Sequence, residues 1–183
     1  MITMCSSIVG HLFDTMFVTP FEVCNHSSQL RTVSLQIPEG KVAKGTFLLL
    51  GFQDVIFLQE TYSSNGTAKI WETEWGRRVL YNHGMCHSKC VMILLNPKLD
   101  CQIDEEVQDK NGRFLGAKIT LDDVQIILAN VYAPNDITHQ VLFFKDLQKL
   151  LSKFAQEKFI ILTARFHKVT KKEGIPLQNK YRS

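Results

Sequence analysis

The chain has 183 residues, of which 45% are hydrophobic and 21% charged, with a formal net charge of +3. This length suits one domain, whose core buries roughly 70% of the unfolded surface, so no disulfide or structural metal is needed to hold it. The usage is that of an ordinary globular protein rather than a disordered one, and a charge this small does not by itself argue for nucleic-acid binding.

The first thirty residues show no clean period and stay unassigned. Met1 to Phe17 is apolar but broken by His11 and Asp14 and lacks a basic leader, so it reads as neither a signal peptide nor a membrane span. The five cysteines, Cys5, Cys24, Cys86, Cys90 and Cys101, are odd in number and irregularly spaced. Reduced thiols in an intracellular protein are the expectation, the nucleus being one possible compartment. The Asn-x-Ser/Thr triplets at Asn25 and Asn65 arise readily by chance.

Thr32 to Ile37 reads as a short strand closed by Pro38 and Gly40. Lys41 to Gly51 suits a short helix, weakened by Gly45. Asp54 to Gln59 is a continuous apolar run, as expected of a strand buried on both faces. Thr61 to Thr67 reads as loop, and Val91 to Leu95 as a second buried strand ended by Asn96 and Pro97. Arg113 to Leu121 and Val124 to Tyr132 flank Asp122-Asp123 and predict a hairpin, although its turn lacks the favoured Gly. Thr138 to Lys158 predicts an amphipathic helix with Val141, Phe144, Leu147, Leu151 and Phe154 on its apolar face, widened by Phe143 and Leu150. Phe159 to Leu162 is a further buried-type strand, and from His167 the chain is basic and tail-like. Such a mixture implies an α/β or α+β layered domain.

Three segments carry chemistry. Asp54 to Thr61 (DVIFLQET) delivers Glu60 at a strand end, where α/β sheets place ligands and where a carboxylate suits a hard cation. The bland alternative is a Glu turning into solvent. Asn130 to Asn135 (NVYAPN) sets Asn130, Tyr132 and Asn135 at another strand end, where amides and a phenol suit phosphate oxygens. The alternative is a loop whose Asn side chains cap local backbone. In His83 to Leu95 (HGMCHSKCVMILL), His83, Cys86, His87 and Cys90 invite a zinc reading, but their spacing matches no common zinc pattern, and a loop feeding a strand is preferred.

In this order the pieces resemble the endonuclease/exonuclease/phosphatase family, and within it the endonuclease domains of LINE-type (non-LTR) retrotransposons. The matching pieces are LQET at Leu58 to Thr61, Trp71 and Trp75, His83-Gly84, Ser88, VMILLNP at Val91 to Pro97, DKNGRF at Asp109 to Phe114, and NVYAPN. They cover roughly residues 32 to 167, with residues 1 to 31 unassigned and residues 168 to 183 a basic tail. The resemblance implies two packed mixed β-sheets flanked by helices and magnesium-assisted cleavage of a DNA phosphodiester. Carried over residue by residue, Glu60 and Gln36 fall on the metal positions, Gln36 standing where the family often has Asn. Tyr132 and Asn130 fall on the catalytic strand end, and Asn135, His83 and Ser88 on the substrate side.

The chain also departs from the family. The GDFN position falls on Thr163 to His167, so Arg165 replaces the Asp and His167 the Asn. Unit charges about 4 Å apart interact by roughly 4 kcal/mol at an effective dielectric of 20, so this exchange removes an attraction for the metal and adds a repulsion. No segment resembles the family's C-terminal Asp-His pair before Ser183. The expectation is a truncated, degraded, inactive endonuclease domain whose second sheet is incomplete, leaving an uncovered face and a tendency to self-associate. The apolar residues of segment 1 to 30, such as Phe13, Phe17 and Phe21, are the available substitute cover. Two other functions compete: a weak magnesium-dependent nuclease using Glu60, Tyr132 and His87, and a non-catalytic module binding DNA or a protein through the old substrate face.

Overall fold

A computed structural model describes residues 2–3, 16–17, 30–36, 52–84, 90–154 and 160–165. Its strands are β1 (Ile2–Thr3), β2 (Met16–Phe17), β3 (Thr32–Gln36), β4 (Val55–Gln59), β5 (Val79–Asn82), β6 (Val91–Leu95), β7 (Cys101–Gln108), β8 (Phe114–Leu121), β9 (Val124–Tyr132) and β10 (Ile160–Arg165). The helices are α1 (Asn65–Trp75) and α2 (Ile137–Ser152). One mixed sheet runs β1-β10-β9-β8-β7 and the other β2-β3-β4-β6-β5. Dipeptides from the unassigned N-terminal segment thus sit at the edge of each sheet, Ile2–Thr3 on β10 and Met16–Phe17 on β3.

Alternation along the strands builds three layers of contact. Val55, Phe57, Val91, Ile93 and Leu95 face Leu115, Ala117, Ile119, Ile126 and Leu128 between the sheets. The opposite faces of β3, β4 and β6 (Val33, Leu35, Ile56, Leu58, Met92, Leu94) pack against Trp71 and Trp75 of α1. The far face of the other sheet (Phe114, Ile127, Ala129, Val131) receives Leu147 and Phe154. Both faces of β4 and β6 are therefore buried, which is why these strands read as unbroken apolar runs. The anticipated uncovered sheet face is not found among these described strands, because the inner faces of the two sheets pack on one another and each outer face carries a helix.

The helices depart from the reading in two ways. Residues 65 to 67, read as loop, form the first turn of α1. Thr67 Oγ1 accepts the Ser64 backbone N–H at 2.9 Å, Gly76 closes the helix in the left-handed conformation, and Trp75 Nε1 donates to the Leu95 carbonyl at 2.7 Å. Asn-Gly at its start concealed the Ala68-Trp71-Trp75 spacing that buries one face. In α2 the buried face is Leu147 with Phe143, Leu150 and Leu151 beside it, while Val141 and Phe144 are 53% and 40% exposed. The expected stripe was rotated, because its anchor is the turn of Lys153-Phe154 after the helix, which tucks Phe154 under the sheet. Asp136 caps α2 by accepting the His139 N–H at 3.1 Å, and that bond, then the His139 imidazole, holds its carboxyl below the ordinary carboxylate range. The Lys41 to Gly51 helix lies outside the described residues.

The hairpin β8–β9 forms as expected, and Asp122 and Asp123 both adopt positive φ, 48° and 63°. Two left-handed residues make the turn whose twist matches the strands. At the other end of these strands the inter-sheet space holds polar side chains. Gln59 Nε2 donates to Asn130 Oδ1 at 2.9 Å, and Asn130 Nδ2 donates to the carbonyls of Leu58 and Met92 at 2.9 and 2.8 Å. Thr163 Oγ1 donates to Ser34 Oγ across the same gap.

Two stability measurements follow. Asp122→Asn with Asp123→Gly should raise the free energy of unfolding by about 1 kcal/mol in urea titration, since both replacements tolerate positive φ better than Asp. A loss of stability would mean the turn is not of this kind. Asn130→Ala removes the nearer acceptor of the Gln59 amide, which keeps only the Val131 carbonyl at 3.3 Å, and takes the side-chain donor from two interior carbonyls, and should lower stability by about 3 kcal/mol. A loss below about 1 kcal/mol would remove the cross-sheet role.

Candidate functional site

The parallel strands of the two sheets end at one edge of the sandwich. Glu60 follows β4 in a left-handed conformation (φ 56°), and Tyr132 closes β9. Tyr132 Oη donates a hydrogen bond to Glu60 Oε1, so the two expected site residues meet across the sheets. Arg113 holds the tyrosine from behind: its guanidinium lies 5.6 Å from the ring centroid, Nη1 donates to the Tyr132 carbonyl at 3.2 Å, and the Arg113 carbonyl accepts the Tyr132 N–H at 2.8 Å.

Gln36 ends β3 as the ladder partner of Gln59, one residue before Glu60. Its Oε1 is buried and accepts no hydrogen bond from the described residues. A buried amide oxygen without a donor is costly, and a cation is one way to satisfy it. Arg165 ends β10 as the ladder partner of Tyr132, which brings the basic position of the Thr163 to His167 segment to the same edge in the backbone. His167 lies outside the described residues.

Asn130 does not join this group. It is 0% exposed and its amide is hydrogen-bonded to Gln59, Leu58 and Met92, so the structure sets it inside the sandwich and not beside Tyr132 at the catalytic strand end where the resemblance had it. Two residues short of Tyr132, it faces the interior at the level of β4 rather than the edge. Asn135 is exposed in the loop before α2.

His83 belongs to a hydrogen-bonded cluster beside the loop that follows Glu60. Its Nδ1 lies 2.8 Å from Ser63 Oγ, which shares a second bond with Thr61 Oγ1 at 2.9 Å. The imidazole stacks on Tyr81 at 4.3 Å. Cys90 Sγ donates to the carbonyls of Ser63 and His83 at 3.2 and 3.3 Å, which is the behaviour of a buried thiol. Cys86, His87 and Ser88 lie outside the described residues, and among the described ones no group of three or more His, Cys, Asp or Glu is arranged to hold a metal ion. His83 is thus placed next to the Glu60 loop, tied down by Ser63, a partner that the loop reading of Thr61 to Thr67 overlooked.

The His83-Gly84 and DKNGRF pieces meet back to back. Gly84 (φ 59°) and Gly112 (φ 70°) approach so closely that a Cβ on Gly84 would lie 2.4 Å from Asn111 backbone, and one on Gly112 2.9 Å from His83 backbone. Only glycine fits both the conformation and the space. Asp109 organises the turn by accepting the N–H groups of Arg113 and Phe114 at 2.8 and 2.9 Å, and Asn82 Nδ2 donates to Asp109 Oδ1 at 2.8 Å. Arg113, which steadies Tyr132, is therefore set by the same turn that supports the His83 loop.

No family model matches the chain. In sequence it is 27% identical over 122 residues to the transposon TX1 uncharacterized 149 kDa protein of Xenopus laevis, a match covering 67% of this chain and 9% of that protein. In structure it is similar to the endonuclease domain of TRAS1, a telomere-specific non-LTR retrotransposon (TM-score 0.51, 13% identity, 74% of this chain and 57% of that one). It is likewise similar to the AP endonuclease LMAP from Leishmania major (TM-score 0.51, 17% identity, 75% and 54%) and to a humanized D. rerio TDP2 (TM-score 0.50, 18% identity, 69% and 56%). The chain spans little more than half the length of these solved structures and a small part of the transposon protein. Among the described residues no helix is long and apolar enough to cross a membrane. With two packed mixed sheets, helices outside them, LQET and NVYAPN meeting at one edge and a transposon protein as its sequence relative, this chain resembles the endonuclease/exonuclease/phosphatase family, in its retrotransposon form.

Proposed function

We propose that the chain is a degraded retrotransposon-type DNA endonuclease domain that keeps the magnesium and phosphate side of the site but does not hydrolyse the phosphodiester. The observation that carries this reading is the backbone register of Arg165 with Tyr132, which sets a basic residue where the family resemblance calls for a carboxylate. Glu60 and Gln36 are the residues that would hold the ion. A carboxylate and an amide oxygen are both hard donors, and Gln36 Oε1 is buried with no donor among the described residues. A bound magnesium would neutralise charge on a phosphate oxygen. Tyr132, braced by Arg113, keeps its hydroxyl beside Glu60, where it suits a second phosphate oxygen. Asn135 and His83 lie on the two loops flanking that end.

Activating a water for attack is a separate task. It needs a base or carboxylate near the phosphorus, a contribution of roughly 10²- to 10⁴-fold per group, and a cation at the Arg165 position opposes it. A non-catalytic DNA-binding role is the second reading, favoured by the intact Glu60–Tyr132 pair.

Two measurements separate these outcomes. Supercoiled plasmid incubated with the chain and magnesium should be nicked no faster than with Glu60→Ala. Magnesium-dependent nicking that disappears in Glu60→Ala would overturn the inactive reading. Magnesium should raise the Tm of the wild-type chain and not that of Glu60→Ala, by mass action on the folded state. Equal responses would remove Glu60 as the ligand.

A further inference from the structure

Tyr62 is used by nothing described so far. It follows Glu60 by two residues and is 45% exposed, whereas its neighbours Thr61 and Ser63 are buried. It also adopts φ 49°, a left-handed conformation that a bulky aromatic residue disfavours. The loop around it is not free to relax. Thr61 N donates to the Cys90 carbonyl at 3.3 Å, Thr61 Oγ1 bonds Ser63 Oγ, and Ser63 Oγ bonds His83 Nδ1. An exposed tyrosine alone is unremarkable. A ring held out of the core, on a pinned loop, in a backbone state it resists, next to the carboxylate of the candidate site, calls for an explanation outside the core. Strained residues of this kind persist where the surroundings enforce them and cluster at ligand sites.

We infer that Tyr62 is a stacking platform for an unpaired nucleobase of DNA whose adjoining phosphate lies at the Glu60–Tyr132 end. The inference rests on the DNA-facing reading above and names the residue that would recognise the strand there. Thr61 to Ser64 carry no charge, so this loop adds no phosphate attraction, and what it offers is the π-face of one ring. Stacking needs a base with an open face, which selects single-stranded or splayed DNA over an intact duplex.

The test is fluorescence anisotropy in magnesium with a labelled single-stranded oligonucleotide and its duplex, over a series of salt concentrations. Tyr62→Ala should weaken single-strand binding by about 5- to 140-fold, the range for losing one base–aromatic stack, while Tyr62→Phe stays within about twofold of wild type. The slope of affinity against salt should be unchanged, because a ring contact releases no counterions. Tyr62→Gly separates strain from recognition: it should raise the Tm, glycine accepting positive φ, and still lose binding. If wild type binds and Tyr62→Ala binds equally well, the stacking role is wrong and the DNA-facing reading stands. If Tyr62→Phe loses as much as Tyr62→Ala, the hydroxyl rather than the ring matters and the inference fails. If wild type binds no DNA at any salt concentration, the parent reading fails and this one with it.

Discussion

Two buried amides, Gln59 and Asn130, meet between the sheets at 2.9 Å, and much of the candidate site is arranged by that meeting. Most of the inter-sheet space is lined by aliphatic and aromatic side chains, which pack without direction. Polar groups in such a space must be satisfied, and satisfying them is directional. Asn130 donates to carbonyls of two neighbouring strands in the opposite sheet, so it sets the offset of one sheet on the other. Glu60 is one residue beyond Gln59, and Tyr132 two beyond Asn130. The bond between carboxylate and phenol is therefore a consequence of an interior hydrogen-bond pattern one layer below it.

A second constraint acts through the backbone. Glu60 and Tyr62 both hold positive φ, with buried Thr61 between them. Such conformations last only when neighbours leave no alternative. Here the neighbours are Cys90, Ser63 and His83, and the His83 loop is in turn pressed against the Asp109 to Arg113 turn through Gly84 and Gly112. The same turn positions Arg113 behind Tyr132. The loop after β4, His83-Gly84 after β5 and the β7–β8 turn are thus joined to one another beside the edge where Glu60 and Tyr132 meet.

The solved structures with this fold share 13–18% identity with the chain, a level at which architecture is common and chemistry is not thereby transferred. What the site can do depends on its own residues. Those residues are a carboxylate bonded to a phenol, a buried amide oxygen, and a basic residue in backbone register with the tyrosine. Binding and hydrolysis are separable tasks in such a site, which is why the proposed function assigns them different fates.

The strands were legible because burial on both faces demands unbroken apolar runs, as in Val55–Gln59 and Val91–Leu95, and a hairpin demands a two-residue turn, as at Asp122-Asp123. The placing of Glu60 and Tyr132 was legible as motif, each standing at the end of such a strand. Other features were not. Helix α1 hid behind an Asn-Gly start, and the acidic edge strand β7 behind a bulge between Ile103 and Glu105 that interrupts its alternation. Val141 and Phe144 looked like core, because helical period alone leaves the phase of a wide apolar stripe open until something docks on it. Asn130 reads as a site residue but lies in the interior bonded across the sheets, while Gln59 and Ser63 carry no signal in the sequence as its partner and that of His83. Local pattern reports which side chains must leave water, since that depends on each residue and its near neighbours. Which polar groups find each other across 71 residues of chain, as Gln59 and Asn130 do, is decided only when two sheets close on one another and each buried donor must find an acceptor.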